Sequence, residues 1–354
     1  MKLLLITQKV DMNDDVLGFM HGWIAEFSRG VEELTVVCLE ERTHSLPSNV
    51  RVYSLGKESG ASRITYLARF YKIIWRQRRA YDAVFVHMNQ MYVLLGGLIW
   101  RILGKQIALW YAHGKTSAGL WIAEKIADIV FTSTKSGFRI PSKKVVVVGQ
   151  GIDIAGYTLA KNASDIPCRI VSVGRISPVK DYETIINAVS LLWQEHIAVE
   201  LLIIGGVGMA EQAEYLNMLK VLVQEKNAST IVQFLGPRPN REIGAYLGRA
   251  QVFVNASRTG SLDKSGLEGM ASGLPVFTCN EAYDDVLGPY REALMFPPGD
   301  AASLARKIKA YIQMPRQEQI RLGSAMRNIV EQQHALPMLA KNILAHLQTI
   351  VSAA

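Results

Sequence analysis

Short runs of apolar, often β-branched residues recur along the first half of the chain at 3–7, 34–39, 83–87, 107–111, 129–132 and 145–148. Between them, apolar positions take helical spacing. Strand and helix in alternation predict a parallel sheet covered on both faces. A second series starts at 169–173 and continues at 200–204, 231–234, 252–254, 275–278 and 293–296. Two doubly wound α/β domains are therefore expected, over residues 1–160 and 161–335, with the polar, proline-containing stretch 160–167 as linker. From about residue 304 to 352 the pattern is helical only, and Pro337 can bend the chain into a last helix over 336–354. Residues 91–103 form a strongly apolar stretch that holds Gly96 and Gly97. It is shorter than a spanning helix of about 18 residues and reads as a buried helix.

Length agrees with two domains, since 354 residues exceed one ordinary α/β core. No apolar run is long enough to cross a bilayer, and the N-terminal MKLLLITQKVD turns polar without a small-residue cleavage site. It reads as a first strand. Cys38, Cys168 and Cys279 are far apart and lack CxxC spacing, so neither a disulfide framework nor a zinc site is indicated, and a cytoplasmic setting fits.

Charge changes the picture more. Residues 1–155 hold 20 Lys/Arg and 13 Asp/Glu, which is +7 of the chain's net +8. Much of it lies in 63–79, where Arg63, Arg69, Lys72, Arg76, Arg78 and Arg79 alternate with Tyr66, Phe70, Tyr71 and Trp75. Two readings stand: an ordinary surface helix packed on a sheet, or a basic amphipathic helix in peripheral contact with an anionic membrane, at the inner face. Nothing accompanies the charge that marks a nucleic-acid module.

In doubly wound sheets ligands sit beyond the carboxyl ends of the strands. The strand at 169–173 runs into Gly174-Arg175 and, five residues on, Lys180; two cations on one loop can neutralise a diphosphate, or be merely solvated. The next strand ends in Gly205-Gly206, which alone is a tight turn. After the strand at 252–254 come Gly260, Ser261, Leu262, Asp263 and Lys264, then Glu268 at an expected helix start. A Gly/Ser-rich loop before a helix offers backbone N–H groups to a phosphate. No DxD-type acidic pair is evident, so no metal and no other cofactor is expected.

The wording LEGMASGLPVF around Glu268, with GRISPVK at 174–180, resembles retaining glycosyltransferases of the GT-B fold, family 4, the glycosyl transferases group 1. The resemblance implies two Rossmann-like domains facing a cleft, with the last helix crossing back to the first domain. It implies a nucleotide-sugar donor: Arg175 and Lys180 on the phosphates, Gly174 and Gly205 beside the nucleotide, the base near Pro237 and Arg238, and Glu268 on the ribose. In the first domain it implies His113 near the transferred sugar and a glycine turn at Gly18 facing the cleft; His21 and His87 are further candidates. The QGID turn at 150–153 resembles the family's NGVD. The family's motif usually has two Glu separated by seven residues, and here Gly260 stands in the first place. Asp263 is one candidate replacement on the sugar, and Lys264 one further phosphate contact.

The function implied is metal-independent, retaining transfer to a glycan or lipid-linked acceptor. Retention by front-face attack is the working hypothesis, since no nucleophilic carboxylate for a covalent intermediate is convincing. Two alternatives stay open: a nucleotide-sugar 2-epimerase of the same fold, which needs acid/base carboxylates, and a relative that binds without catalysis.

Overall fold

In the computed structural model, which describes residues 1–14, 16–159, 167–208 and 210–353, the first series of apolar runs pairs as a seven-stranded parallel sheet. Its strands are β1 (Leu3–Val10), β2 (Leu34–Glu41), β3 (Val50–Ser54), β4 (Ala83–His87), β5 (Gln106–Trp110), β6 (Ile129–Thr132) and β7 (Val145–Val147), in the order β3-β2-β1-β4-β5-β6-β7. Because side chains alternate along a strand, both faces need cover. Leu3, Leu5, Phe85 and Trp110 are buried on the face under α1 (Phe19–Arg29), while Leu4, Ile6, Val86 and Leu109 are buried on the other, under α2 (Arg63–Arg76), α3 (Met91–Ile102) and α4 (Ala118–Ile126). The last helix of the chain, Leu336–Ser352, also lies on the α1 face, through Leu339, Ile343 and Leu347.

The second unit is a five-stranded parallel sheet of β8 (Cys168–Val173), β9 (Val199–Ile204), β10 (Val232–Gly236), β11 (Val252–Asn255) and β12 (Val276–Thr278), ordered β10-β9-β8-β11-β12. Around it pack α5 (Tyr182–Gln194), α6 (Ala210–Glu225), α7 (Asn240–Leu247), α8 (Lys264–Ala271), the single turns α9 (Asp284–Leu287) and α10 (Arg291–Leu294), then α11 (Ala301–Gln313) and α12 (Arg316–Gln333). The final helix is α13. By contacts the units are Met1–Gly151 with His334–Ala354, and Ile152–Gln333. The expected linker at 160–167 lies, except for Pro167, outside the described residues. Each unit is the doubly wound α/β fold anticipated from the alternating pattern.

Three local expectations are corrected. Residues 293–296 do not form a strand: α10 ends at Leu294, and only Met295 bridges to Thr278. The edge strand β3 was not anticipated, because VRVYS has only a half-buried alternation. The apolar stretch at 91–103 is a helix but not a buried one, since Leu98 and Ile102 are 72% and 75% exposed.

Candidate functional site

In the second unit the strand order reverses between β8 and β11, which is where a doubly wound sheet opens a crevice at its carboxyl edge. Chain leaving β8 enters Gly174 and Arg175, and chain leaving β9 enters Gly205. A Cβ on Gly205 would sit 1.8 Å from the Gly174 carbonyl oxygen, so the two loops meet backbone to backbone. The same Gly174 carbonyl accepts a hydrogen bond from the Tyr182 hydroxyl (2.7 Å). The Gly205 N–H in turn donates to Gly236 at the end of β10 (3.0 Å), beside the exposed Pro237 and half-buried Arg238. Adjacent glycines at this edge leave the backbone accessible where side chains would otherwise block a ligand.

Two ion pairs lace the loop after β8 to the loop after β11. Lys180 donates from Nζ to Asp263 Oδ1 (2.9 Å), each side chain being 17% exposed. Arg258 pairs with Asp181, which sits in the left-handed region and caps α5 at Thr184. Asp263 is also fixed on its other oxygen by Asn255 Nδ2 (3.0 Å), and its carbonyl accepts from the Tyr283 hydroxyl (2.6 Å). Its carboxylate is thus occupied by Lys180 and Asn255. Asp263 is the N-cap residue of α8, yet its side chain makes no capping bond, which leaves the first N–H groups of that helix facing the loop. Arg175 stays exposed. Gly260 is buried with φ +65°, Leu262 belongs to the core, and the Ser261 hydroxyl is closed to solvent with no partner among the described residues.

Glu268 is not at the helix start, as the sequence suggested, but one turn inside α8. It is buried. Burial pushes its carboxyl above the usual range, opposed by hydrogen bonds from Tyr157 and Asn240 and by the charge of Lys264. The Asn240 Nδ2 donates to Oε1 at 3.3 Å. The Lys264 amine, one turn before it, is closed to solvent, and desolvation holds it well below an ordinary lysine. Asn240, Asn255, Tyr157 and Tyr283 were not singled out from the sequence. Only Asn255, at a strand's carboxyl end, carried a positional signal.

The first unit has its own reversal, between β1 and β4. Gly18 precedes α1 there in ordinary helical conformation. His21 Nε2 lies 2.8 Å from the Ser45 carbonyl. His87 is buried edge-on against Phe19 and Trp23, with ring centres 5.9 and 5.4 Å away. His113, on the loop after β5, is half-buried, and its Nδ1 accepts weakly from Lys115 N (3.4 Å). In the QGID turn, Gly151 takes φ +70°, and the Trp23 indole donates to its carbonyl (3.0 Å). Unforeseen is a cluster in which Lys9 Nζ reaches Asp14 (2.6 Å), Glu40 (3.3 Å) and Asp11 (3.5 Å), tying the loop after β1 to β2. No group of three or more metal-ligating side chains occurs among the described residues.

The fold and the site define a GT-B architecture with a glycine- and cation-rich crevice in its second unit. Residues 160–328 match the family model for Glycosyl transferases group 1. WcaL of Escherichia coli, named as a colanic acid biosynthesis glycosyltransferase, is 26% identical over 218 residues, covering 59% of this chain and 52% of that protein. AmsK of Erwinia amylovora, an amylovoran biosynthesis glycosyltransferase, is 30% identical over 173 residues, covering 47% and 41%. This chain therefore spans about half the length of the curated relatives it matches. Among solved structures, Anabaena HepE in complex with UDP and glucose superposes with a TM-score of 0.76 at 16% identity, covering 98% of this chain and 99% of that one. A sucrose-phosphate synthase of Thermosynechococcus elongatus gives 0.80 at 16% identity, with 99% of both chains covered.

Proposed function

We propose that the chain is a retaining glycosyltransferase that moves a sugar from a nucleotide-diphosphate donor to a glycan or lipid-linked acceptor without a metal. The observation that carries this is the lacing of the Gly174–Lys180 loop to the α8 N-terminus at the switch point of a unit that matches the group 1 model. There Lys180 meets the N-terminal end of α8 through Asp263, and Arg175 is exposed on the same loop, cations and N–H groups of the kind that stabilise charge growing on a departing diphosphate. Glu268 accepts the ribose hydroxyls, the base lies along Gly236, Pro237 and Arg238, and the backbone of Gly260 to Lys264 faces the sugar. In the first unit His113 is assigned to the transferred sugar, the Gly18 turn to the donor, and His87 to acceptor-side work.

Transfer is by front-face attack. The acceptor oxygen bonds to the anomeric carbon as the bond from that carbon to the phosphate oxygen breaks, and the hydroxyl proton passes to the leaving phosphate. A 2-epimerase needs a free acid/base carboxylate. At this edge Asp181 is held by Arg258 and Thr184, and Asp263 by Lys180 and Asn255.

Relatives named for colanic acid and amylovoran biosynthesis support a glycan acceptor, and one named phosphatidyl-myo-inositol mannosyltransferase, 31% identical over 193 residues, supports a lipid one. We place the work at the cytoplasmic face of a membrane, where the basic segment 63–79 would meet anionic headgroups; no described helix is long and apolar enough to cross it. A thermal-shift screen with UDP, GDP, ADP and their sugars tests the donor. A ligand at 100 times its dissociation constant stabilises by about 2.7 kcal/mol. Release of the free nucleoside diphosphate only with acceptor present would establish transfer. Binding without turnover would leave a non-catalytic relative, and no shift with any nucleotide would remove the reading.

A further inference from the structure

Eight of the nineteen large apolar side chains exposed among the described residues lie on three helices of the first unit. They are Ile64, Leu67 and Trp75 of α2, Met91, Leu98 and Ile102 of α3, and Trp121 and Ile122 of α4. These helices cover the same face of the sheet and pack side by side. The Tyr71 hydroxyl donates to Leu95 O (3.1 Å) between α2 and α3, while Arg101 donates to Ile126 O (2.6 Å) between α3 and α4. On α3 the exposed positions 91, 98 and 102 recur at helical spacing, so its solvent face is apolar apart from Arg101, which pairs with Asp128 (2.8 Å). A soluble monomer rarely leaves so much apolar surface contiguous without a partner.

Charge selects the partner. Residues 63–127 carry ten Lys/Arg and two Asp/Glu, which equals the net +8 of the entire chain. Of the two acids, Glu124 is 2% exposed and Asp82 accepts from the backbone N–H of Lys2. Lys125 pairs with Glu124 (3.3 Å), whereas the exposed cations Arg63, Lys72, Arg76 and Arg79 border the apolar residues without an ion pair among the described residues. Two copies of such a face would repel each other, whereas an anionic lipid surface complements it. The mixture suits the interface chemically: aliphatic side chains enter below the headgroups, Trp75 and Trp121 sit at their level, and Arg and Lys reach up to the phosphates.

We infer that α2, α3 and α4 together form a membrane-docking platform for anionic lipid, with Leu98, Ile102, Trp121 and Ile122 as its inserting edge. This deepens the membrane-side acceptor proposed above by naming the surface that would hold the protein there. It shares no residue with the donor site, so the two fail separately.

The test is co-sedimentation of the full chain with phosphatidylglycerol-rich vesicles and with pure phosphatidylcholine vesicles, alongside the nucleotide thermal shift. The chain should bind the anionic vesicles and not the neutral ones, more weakly as salt rises. The triple variant Leu98→Ser/Ile102→Ser/Trp121→Ser should bind at least about tenfold more weakly at every salt concentration, because it removes apolar surface. Arg76→Gln/Arg79→Gln should weaken binding chiefly at low salt. All five positions are exposed, so unfolding midpoints should hold; as a milder check, Trp75→Phe/Trp121→Phe should lose most of the fluorescence quenching produced by brominated phosphatidylglycerol. Unchanged binding by the triple variant, no binding to anionic vesicles at low salt, or self-association abolished by the triple variant would overturn the platform. Lipid binding without a nucleotide shift would leave it standing and sink the donor reading.

Discussion

The two sheets end in loops of opposite make. Beyond β8, β9 and β10 of the second unit the crevice is formed by backbone: Gly174 against Gly205, Gly205 bonded to Gly236, and two ion pairs over the top. Beyond β4 and β5 of the first unit it is formed by rings, with Trp23 edge-on to His87 and to Trp110 at 5.4 and 5.2 Å. A backbone-lined edge admits a large polar ligand and, where its loops meet at Gly205, tolerates no added atom, whereas a ring-packed edge shapes a surface through side chains that can be exchanged. The first arrangement suits a diphosphate, whose oxygens accept from N–H groups and cations.

The strongest break is Gly205→Ala. Its Cβ would lie 1.8 Å from a backbone oxygen and 2.7 Å from the carbon bearing it, so the ends of β8 and β9 must part. A loss on the order of 3 kcal/mol, by denaturant titration, and of the nucleotide shift is expected. In the first unit Gly119→Ala, within α4 and 3.6 Å from the nearest side-chain atom, should instead gain up to about 1 kcal/mol. Equal effects would end the comparison.

Next in size are Arg175→Ala and Lys180→Ala. Each should lower turnover by about 10² to 10³, the scale for removing one donor from a site of developing charge. The exposed Arg175 should cost little stability. Lys180 should cost somewhat more, because Asp263 loses its partner. Wild-type turnover in both purified variants would sink the assignment.

A comparable free energy should appear with pH at His334, between α12 and α13. Burial holds this imidazole down to about 4, and neither ring nitrogen has a hydrogen-bond partner among the described residues. The unfolded chain takes its proton near pH 6.5 and the folded one only near 4. Its stabilising contribution is therefore complete above about pH 6.5 and lost as pH falls from there to 4, roughly 3 kcal/mol in all. His334→Leu should flatten that part of the stability profile. Glu268 has the opposite sign, since its raised carboxyl favours folding at low pH and opposes it once ionised. Its variants should not reproduce the His334 effect.

Smaller again is Asp263→Asn. The carboxylate aims Lys180 and is itself aimed by Asn255, so its loss should lower turnover about tenfold, at about 1.4 kcal/mol per factor of ten. The double variant with Lys180→Ala should be no worse than Lys180→Ala alone. Additive losses would mean that Asp263 touches the sugar directly.

What the sequence could show follows from the same contrast. The backbone-built edge was legible because glycines and cations after strands are local signals: Gly174, Arg175, Lys180 and Gly205 fall at the ends of β8 and β9 as expected. The start of α8 was misplaced because Gly266 and Gly269 argue against helix. They are inside it because Gly266 lies under the Tyr283 hydroxyl and Gly269 against the Phe253 ring, with added Cβ distances of 2.0 and 2.9 Å. Tertiary contact there overrides propensity. The partners of Glu268, Tyr157 and Asn240, come from distant segments with no linear pattern. The outward face of α3 was hidden for another reason: a helix apolar on nearly all sides looks the same from its sequence whether protein or lipid covers it.

Gly260→Glu, which restores the family's usual first carboxylate, bears most directly on the crevice. Gly260 is buried at φ +65°, a region where a side-chain-bearing residue costs about 1 to 2 kcal/mol. The loop that follows is tied at Ser261 O by Asn280 (2.7 Å) and at Asp263 by Lys180, Asn255 and Tyr283, so it has little freedom to relax that strain. A fall in stability of at least about 1 to 2 kcal/mol with no gain in turnover is expected. A more active variant at unchanged stability would mean that the loop can take the usual conformation, and that the position lacks only its carboxylate.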